Sequence, residues 1–190
     1  MLVEDLMTRE VESCRPEDSL AEAAAVMWRR DCGAVPVLGV EGDVAGMITD
    51  RDICMALATR RAYAADVSVG EVMARDVVTC TPEDDAREAL EVMRGRQLRR
   101  LPVVDSRGRL AGILSLADVL RRTRKGGGRR HVGRGEALET LKAVMHPHAA
   151  HGGDREPAPG GDAEPAADAA ESPAAGSAPA GDSRPTVQEP

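Results

Sequence analysis

Two heptapeptides decide how this chain is read: Gly46-Met47-Ile48-Thr49-Asp50-Arg51-Asp52 and Gly112-Ile113-Leu114-Ser115-Leu116-Ala117-Asp118. Each runs from a glycine through an apolar pair to a hydroxyl, with an acid three residues further on. The apolar pair suits a strand, and hydroxyl-x-x-acid marks the first turn of a helix. Working outward, both heptapeptides belong to one duplication. Residues 3–53 align with 69–119 without a gap, and 19 of the 51 positions are identical. Met7/Met73, Cys14/Cys80, the PED runs at Pro16 and Pro82, Met27/Met93, Pro36/Pro102 and Gly42/Gly108 all match. Shared glycines and prolines fall where backbone geometry is most constrained, so the repeat is structural.

Each copy reads as strand, helix, strand, strand, helix, which places the chain in the α/β class, of the α+β kind. Val11 to Cys14 and Val77 to Cys80 are short apolar strands stopped by a following proline. Ser19-x-x-Glu22 and Asp85-x-x-Glu88 are capping signatures, each followed by an apolar stripe: Leu20, Ala23, Ala24, Met27 in one copy and Ala86, Ala89, Leu90, Met93 in the other. VPVL (Val35 to Leu38) and LPVV (Leu101 to Val104) are strands with proline near their start. Gly42 and Gly108 supply a positive φ at a bulged hairpin turn. One copy alone leaves its sheet uncovered, so two copies close a shared core about a pseudo-two-fold axis with a cleft between them. The organisation expected is repeat one at 1–62, repeat two at 63–125, a basic linker with a short amphipathic helix at 126–145, and a tail at 146–190.

Composition narrows the function. The 190 residues carry no Phe, one Trp and one Tyr, so the core is aliphatic. A net charge of -7 disfavours nucleic-acid binding by the whole chain. No apolar run approaches the ~20 residues of a membrane span, and the acidic N-terminus is unlike a signal peptide, so a cytoplasmic location is expected. Cys14, Cys32, Cys54 and Cys80 lack CxxC pairing and are expected to be free thiols. His131, His146, His148 and His151 all lie beyond the repeats, so the folded part offers no Cys–His or Ser–His pair. Neither a phosphate-binding P-loop nor a G-x-G-x-x-G fingerprint occurs. The chain is expected not to be an enzyme, with no cofactor and no metal.

These residues resemble a pair of CBS motifs, the Bateman module. The two heptapeptides fit that family's G-x-x-[T/S]-x-x-D pattern, and PVL, PVV, LMTREV and VMARDV match its style. A stand-alone pair with TDRD in its first half is also similar to the small bacterial hypoxic-response proteins, which places it among stress-response regulators. The resemblance covers residues 1 to about 122. It implies clefts that hold adenosine-containing ligands such as AMP, ADP, ATP or S-adenosylmethionine, and it implies a homodimer.

For these residues, Asp52 and Asp118 would accept ribose hydroxyls, and Thr49 and Ser115 would donate to phosphate beside a helix N-terminus. Adenine would lie between aliphatic strands, its edge met by backbone near Ser13 or Thr79 and near Val35 or Leu101. The two sites differ. Asp50 and Arg51 in copy one stand where copy two has Leu116 and Ala117. Arg99 and Arg100 in copy two stand where copy one has Gly33 and Ala34. Paired arginines favour a phosphorylated ligand in the second site. Asp118→Ala is expected to weaken nucleotide binding with little change in apo stability. The same hydroxyl and acid pairs are also plain helix caps, which need no ligand.

Two other functions stand beside the regulatory module. One is a ligand-free interaction protein acting through an unknown protein target, by the helical pattern EALETLKAVM and the tail. Ala137, Leu138, Leu141, Val144 and Met145 form one face of that helix, which can dock on the body or on a partner. The tail from His146, rich in Ala, Pro, Gly and acids, is expected to be disordered. The other is nucleic-acid contact through Arg121 to Arg134, seven basic residues without an acid but without aromatic groups for stacking.

Overall fold

The first α-helix starts at Ser19, whose hydroxyl accepts the Glu22 N–H at 3.2 Å while the Glu22 carboxylate takes the Ser19 N–H at 2.7 Å. This reciprocal cap opens α1 (Leu20–Arg29), which buries Leu20, Ala23, Val26 and Met27. In the computed structural model, which describes residues 1–123 and 132–145, α1 is followed by β1 (Ala34–Leu38), β2 (Val44–Thr49) and α2 (Asp50–Arg60). Copy two repeats the order as α3 (Ala86–Arg96), β3 (Arg100–Val104), β4 (Leu110–Ser115) and α4 (Leu116–Arg122), and α5 (Arg134–Met145) follows. At α3 the cap departs from the expected box: Asp85 accepts the Arg87 N–H at 2.8 Å, without a returning bond from Glu88. A short carboxylate reaches the nearer N–H of the first turn.

β1 and β2 form an antiparallel hairpin, as do β3 and β4. Gly42 and Gly108 sit at φ 82° and 77° in the turns. A register shift follows at Val37/Leu38 and at Val103/Val104, so both bulged turns form as expected. The expected leading strands shrink to single parallel bridges, Cys14 with Val37 and Cys80 with Val103. The Cys14 N–H donates to the Pro36 carbonyl at 3.0 Å, and its carbonyl accepts from Leu38 at 2.9 Å. The next rung would need an N–H from Pro36 (Pro102 in copy two), and proline has none. One residue thus cuts the ladder.

The two copies are interleaved. Residues 1–9 pack on copy two: Val3 N–H donates to Asp84 O at 3.0 Å, and Thr8 exchanges two 2.9 Å bonds with Ile113. Copy one receives the matching segment of copy two. Val69 N–H donates to Asp18 O at 2.7 Å, and Ala74 exchanges two 2.9 Å bonds with Met47. Consequently one core joins Val3, Leu6 and Met7 to Leu90, Met93, Leu101, Val103 and Leu114. The other joins Val67, Val69 and Met73 to Leu20, Met27, Val35, Val37 and Ile48. The hairpin tips meet as well, with Leu110 N–H donating to Gly42 O at 3.3 Å. These matched contacts realise the pseudo-two-fold arrangement.

Helix α5 lies on copy two, against α3 and α4. Its buried residues are Ala137, Thr140 and Val144, with Leu141 packed beside them. The expected stripe is therefore rotated, since Leu138 and Met145 face solvent. Thr140 can be buried because its hydroxyl donates to the Glu136 carbonyl at 3.1 Å, one turn back. The expected basic linker, apart from its ends, and the tail at 146–190 lie outside the described residues, as do all four histidines. Among the described residues no helix is long and apolar enough to cross a membrane.

Candidate functional site

The end of β2 turns into α2 at Thr49. Its N–H and hydroxyl donate to Asp52 Oδ2 at 3.0 and 2.7 Å, and Thr49 Oγ1 accepts the Asp52 N–H at 3.2 Å. Copy two repeats this at β4–α4. Ser115 N–H donates to Asp118 Oδ2 at 3.1 Å, its hydroxyl makes a short bond to the same oxygen, and it accepts the Asp118 N–H at 3.2 Å. Both pairs are complete capping boxes, so the capping role is real. Each box uses Oδ2. In copy two, Asp118 Oδ1 meets Arg121 at 3.4 Å, an ion pair whose arginine is largely exposed.

Strand register assembles the other expected residues. Thr49 pairs with Ala34 and Ile48 with Val35, while Cys14 bridges to β1 from its other edge, carrying Ser13 with it. Ser13, Val35, Thr49 and Asp52 thus come from three adjacent chain segments at one end of the sheet. In copy two Arg100 pairs with Ser115, Leu101 pairs with Leu114, and the Leu116 N–H donates to Arg99 O at 2.9 Å. Thr79 precedes Cys80, which bridges to β3. The sheet therefore sets both arginines across from the N-terminus of α4. Arg99 is exposed and Arg100 half-buried, whereas Val35 and Leu101 are core residues at 1% and 0% exposure. The last two can offer backbone or a wall, not a free side chain.

At copy one the equivalent place is acidic. The Asp50 carboxylate lies over Gly33, where a β-carbon would come within 2.8 Å of it, and Arg51 is exposed on the outer side of α2. A pocket of about 470 Å³ opens here, lined by Ala24, Met27, Trp28, Asp31, Cys32, Gly33, Asp50 and Ile53. Of the expected ligand residues only Asp50 lines it. Trp28, Asp31, Cys32 and Gly33 escaped the sequence reading. The available signal was position 28 itself, a tryptophan where the other repeat has Arg94.

The thiols divide by burial. Desolvation pushes Cys14 up to about 11, with nearby Asp18 adding to it, and Cys80 up to about 12 with Asp84 adding. Both are buried structural thiols, neutral at physiological pH. Cys54 is exposed and Cys32 half-buried, and all four are free. Among the described residues no three His, Cys, Asp or Glu side chains are grouped to hold a metal ion.

Comparison with known proteins bears on this geometry. The chain matches the family model described as CBS domain over residues 3–59 and again over 69–125. It is 37% identical over 117 residues to the CBS domain-containing protein YhcV of Bacillus subtilis (strain 168), a match covering 62% of this chain and 81% of that protein. It is similar to the crystal structure of Hypoxic Response Protein I with two coordinated zinc ions. That match has 30% identity and a TM-score of 0.60, and covers 65% of this chain and 100% of the other. It is also similar to the CBS domain pair of protein MJ0100 in complex with 5′-methylthioadenosine and S-adenosyl-L-methionine. There the identity is 26% and the TM-score 0.58, over 64% and 94% of the two chains.

Proposed function

The chain belongs to the CBS-domain family, as a tandem pair of repeats, and on that premise we propose that it is a non-catalytic regulatory module for an adenosine-containing ligand. The class is that of AMP, ADP, ATP and S-adenosylmethionine, and the MJ0100 pair was solved with two such compounds. Thr49 and Asp52 serve the first site, and Ser115 and Asp118 the second. The observation that carries the reading is the register of β3 and β4, which sets Arg99 and Arg100 across from the N-terminus of α4. Two guanidinium donors and the positive end of the α4 dipole then serve one phosphate, while the Leu116 and Asp118 N–H groups stay on Arg99 O and Ser115 Oγ. The second site is the one for a phosphorylated ligand. The first, with Asp50 in place of Leu116, suits an uncharged or cationic adenosyl compound.

The ligand acts by its differential affinity for two packings of the repeats or of a dimer. Thermal shift of the full chain with AMP, ADP, ATP, NADH and S-adenosylmethionine tests this. A ligand at 100 times its dissociation constant adds about 2.7 kcal/mol of stability. Arg99→Ala with Arg100→Ala removes the shift for phosphorylated ligands and leaves that for S-adenosylmethionine. No shift with any of the five would refute the reading.

The ligand-free interaction module loses part of its footing, because α5 spends its buried face on its own chain. For nucleic-acid contact, two arginines at the start of the basic stretch are already engaged, Arg121 with Asp118 and Arg122 with the Asp5 carbonyl.

A further inference from the structure

Aligned residue for residue, the two repeats differ in a coordinated way around one hollow. Between α1 and α2 of repeat one lies the open pocket of about 470 Å³ beside Gly33, within the size range of small-molecule sites, roughly 300–1,000 Å³. In repeat two α5 packs on α3 and α4, and Gln97 donates to the Ala143 carbonyl of α5 at 3.3 Å. The apolar walls are alike, with Ala24, Met27 and Ile53 matching Leu90, Met93 and Val119. The other positions are not. Trp28, Asp31, Gly33 and Asp50 stand where repeat two has Arg94, Gln97, Arg99 and Leu116. Repeat one has an aromatic ring and two carboxylates where repeat two has two guanidinium groups and no acid.

Neither carboxylate has a cation of its own. Among the described residues Asp31 and Asp50 enter no ion pair. Arg29 and Arg30, next to Asp31 in sequence, are both held by Glu12, at 2.9 and 2.6 Å. Asp50 Oδ1 accepts the Arg51 N–H at 2.7 Å, and its Oδ2 lies over Gly33, whose missing side chain keeps that space open. Trp28 is 89% exposed, so its ring is free to lie against a guest. Of the aromatic side chains, indole attracts a cation to its face most strongly.

We propose that this pocket is a binding site for a small alkylated ammonium ion, with Trp28 against the cation and Asp31 and Asp50 balancing its charge. The walls select the alkylated form. Ala24, Met27 and Ile53 offer no side-chain acceptor to a strongly hydrated ion. Methyl groups on nitrogen spread the charge and match apolar walls, so a quaternary ion loses less hydration on entry than bare ammonium does. A metal ion lacks its ligands here, since no three metal-binding side chains are grouped among the described residues. The pocket shares Asp50 alone with the residues expected to hold an adenosyl ligand, and the proposal stands independently of that reading.

Trp28 is the chain's one tryptophan, so its emission reports occupancy directly. Titrating the full chain with choline, with sodium chloride holding the ionic strength constant, should give a saturable change in that emission. The neutral alcohol in which carbon replaces choline's nitrogen (dimethylbutanol) should bind at least about tenfold more weakly. Asp31→Asn and Asp50→Asn keep the fluorophore and nearly the same side-chain shape, and asparagine tolerates the φ of 48° at residue 31. Each should weaken choline about threefold, with an unchanged helical circular-dichroism signal. By calorimetry Trp28→Tyr should retain choline binding, and Trp28→Arg, copying Arg94, should lose it. Choline that gives no saturable change, or binds no better than its neutral isostere, overturns the proposal. So does wild-type affinity in both asparagine variants. Choline carries no adenosine, so the nucleotide thermal shifts succeed or fail separately from this result.

Discussion

Asp118 caps α4, and the proposed ligand contact falls on the same side chain. Its Oδ2 closes the cap on α4, so Asp118→Ala lowers apo stability by about 0.5–2 kcal/mol. The sequence alone led to an expectation of little change in apo stability; the cap makes a loss the expected outcome for alanine. Asp118→Asn separates the roles, because an amide oxygen still accepts the Ser115 N–H and hydroxyl while the charge is gone. We expect a thermal midpoint near wild type with nucleotide affinity reduced about tenfold, read by thermal shift and titration calorimetry. Equal affinity would leave Asp118 a cap alone. The thiols give a second check at this scale. With Cys14 and Cys80 pushed up to about 11 and 12 by burial, they should resist a thiol reagent at pH 8 until the chain unfolds. Exposed Cys54 should react first.

At the scale of elements, the interleaved N-terminal segments depend on two glycines. A β-carbon at Gly112 would lie 2.7 Å from the Thr8 carbonyl oxygen, and one at Gly46 would lie 2.5 Å from Met73 Sδ. At Gly112 the nearest atom is backbone, whereas at Gly46 it belongs to the Met73 side chain, with the Ala74 carbonyl oxygen next at 3.0 Å. Gly112→Ala should therefore cost more, on the order of 1–3 kcal/mol, and Gly46→Ala less. Hydrogen exchange should show the Thr8 and Ile113 amides losing protection in Gly112→Ala. Helix α5 teaches a related lesson. Hydropathy alone chose Leu138 and Met145 for its buried face, yet Thr140 took their place because its hydroxyl is satisfied within the helix.

Across the whole molecule, exposed carboxylates tie stability to pH. The Ser19 and Ser68 N–H and hydroxyl groups hold Glu22 and Glu71 below the usual range, and Arg60 adds to the second. Arg29 and Arg30 do the same for Glu12, and Arg109 for Asp105. A carboxylate with a lowered folded pKa stabilises above its unfolded value, about 4.3 for Glu and 3.9 for Asp, and that contribution is lost as pH falls through the folded value. Thermal midpoints should thus be level near neutrality and decline from about pH 4.5 downward. A midpoint that rises on acidification would contradict this assignment.

The sequence by itself determined much of what neighbours along the chain govern. That includes the duplication, the caps at Ser19, Thr49 and Ser115, the hairpin glycines, the aliphatic core and the hydroxyl–acid pairs at two helix starts. Those features depend on groups a few residues apart, whose geometry the covalent chain restricts. Only the tertiary structure decided the exchange of N-terminal segments, the face that α5 buries, and the pocket beside Trp28. Each of these joins surfaces far apart in sequence, and its outcome turns on which apolar area is covered and which buried polar groups find partners. No local pattern encodes that competition.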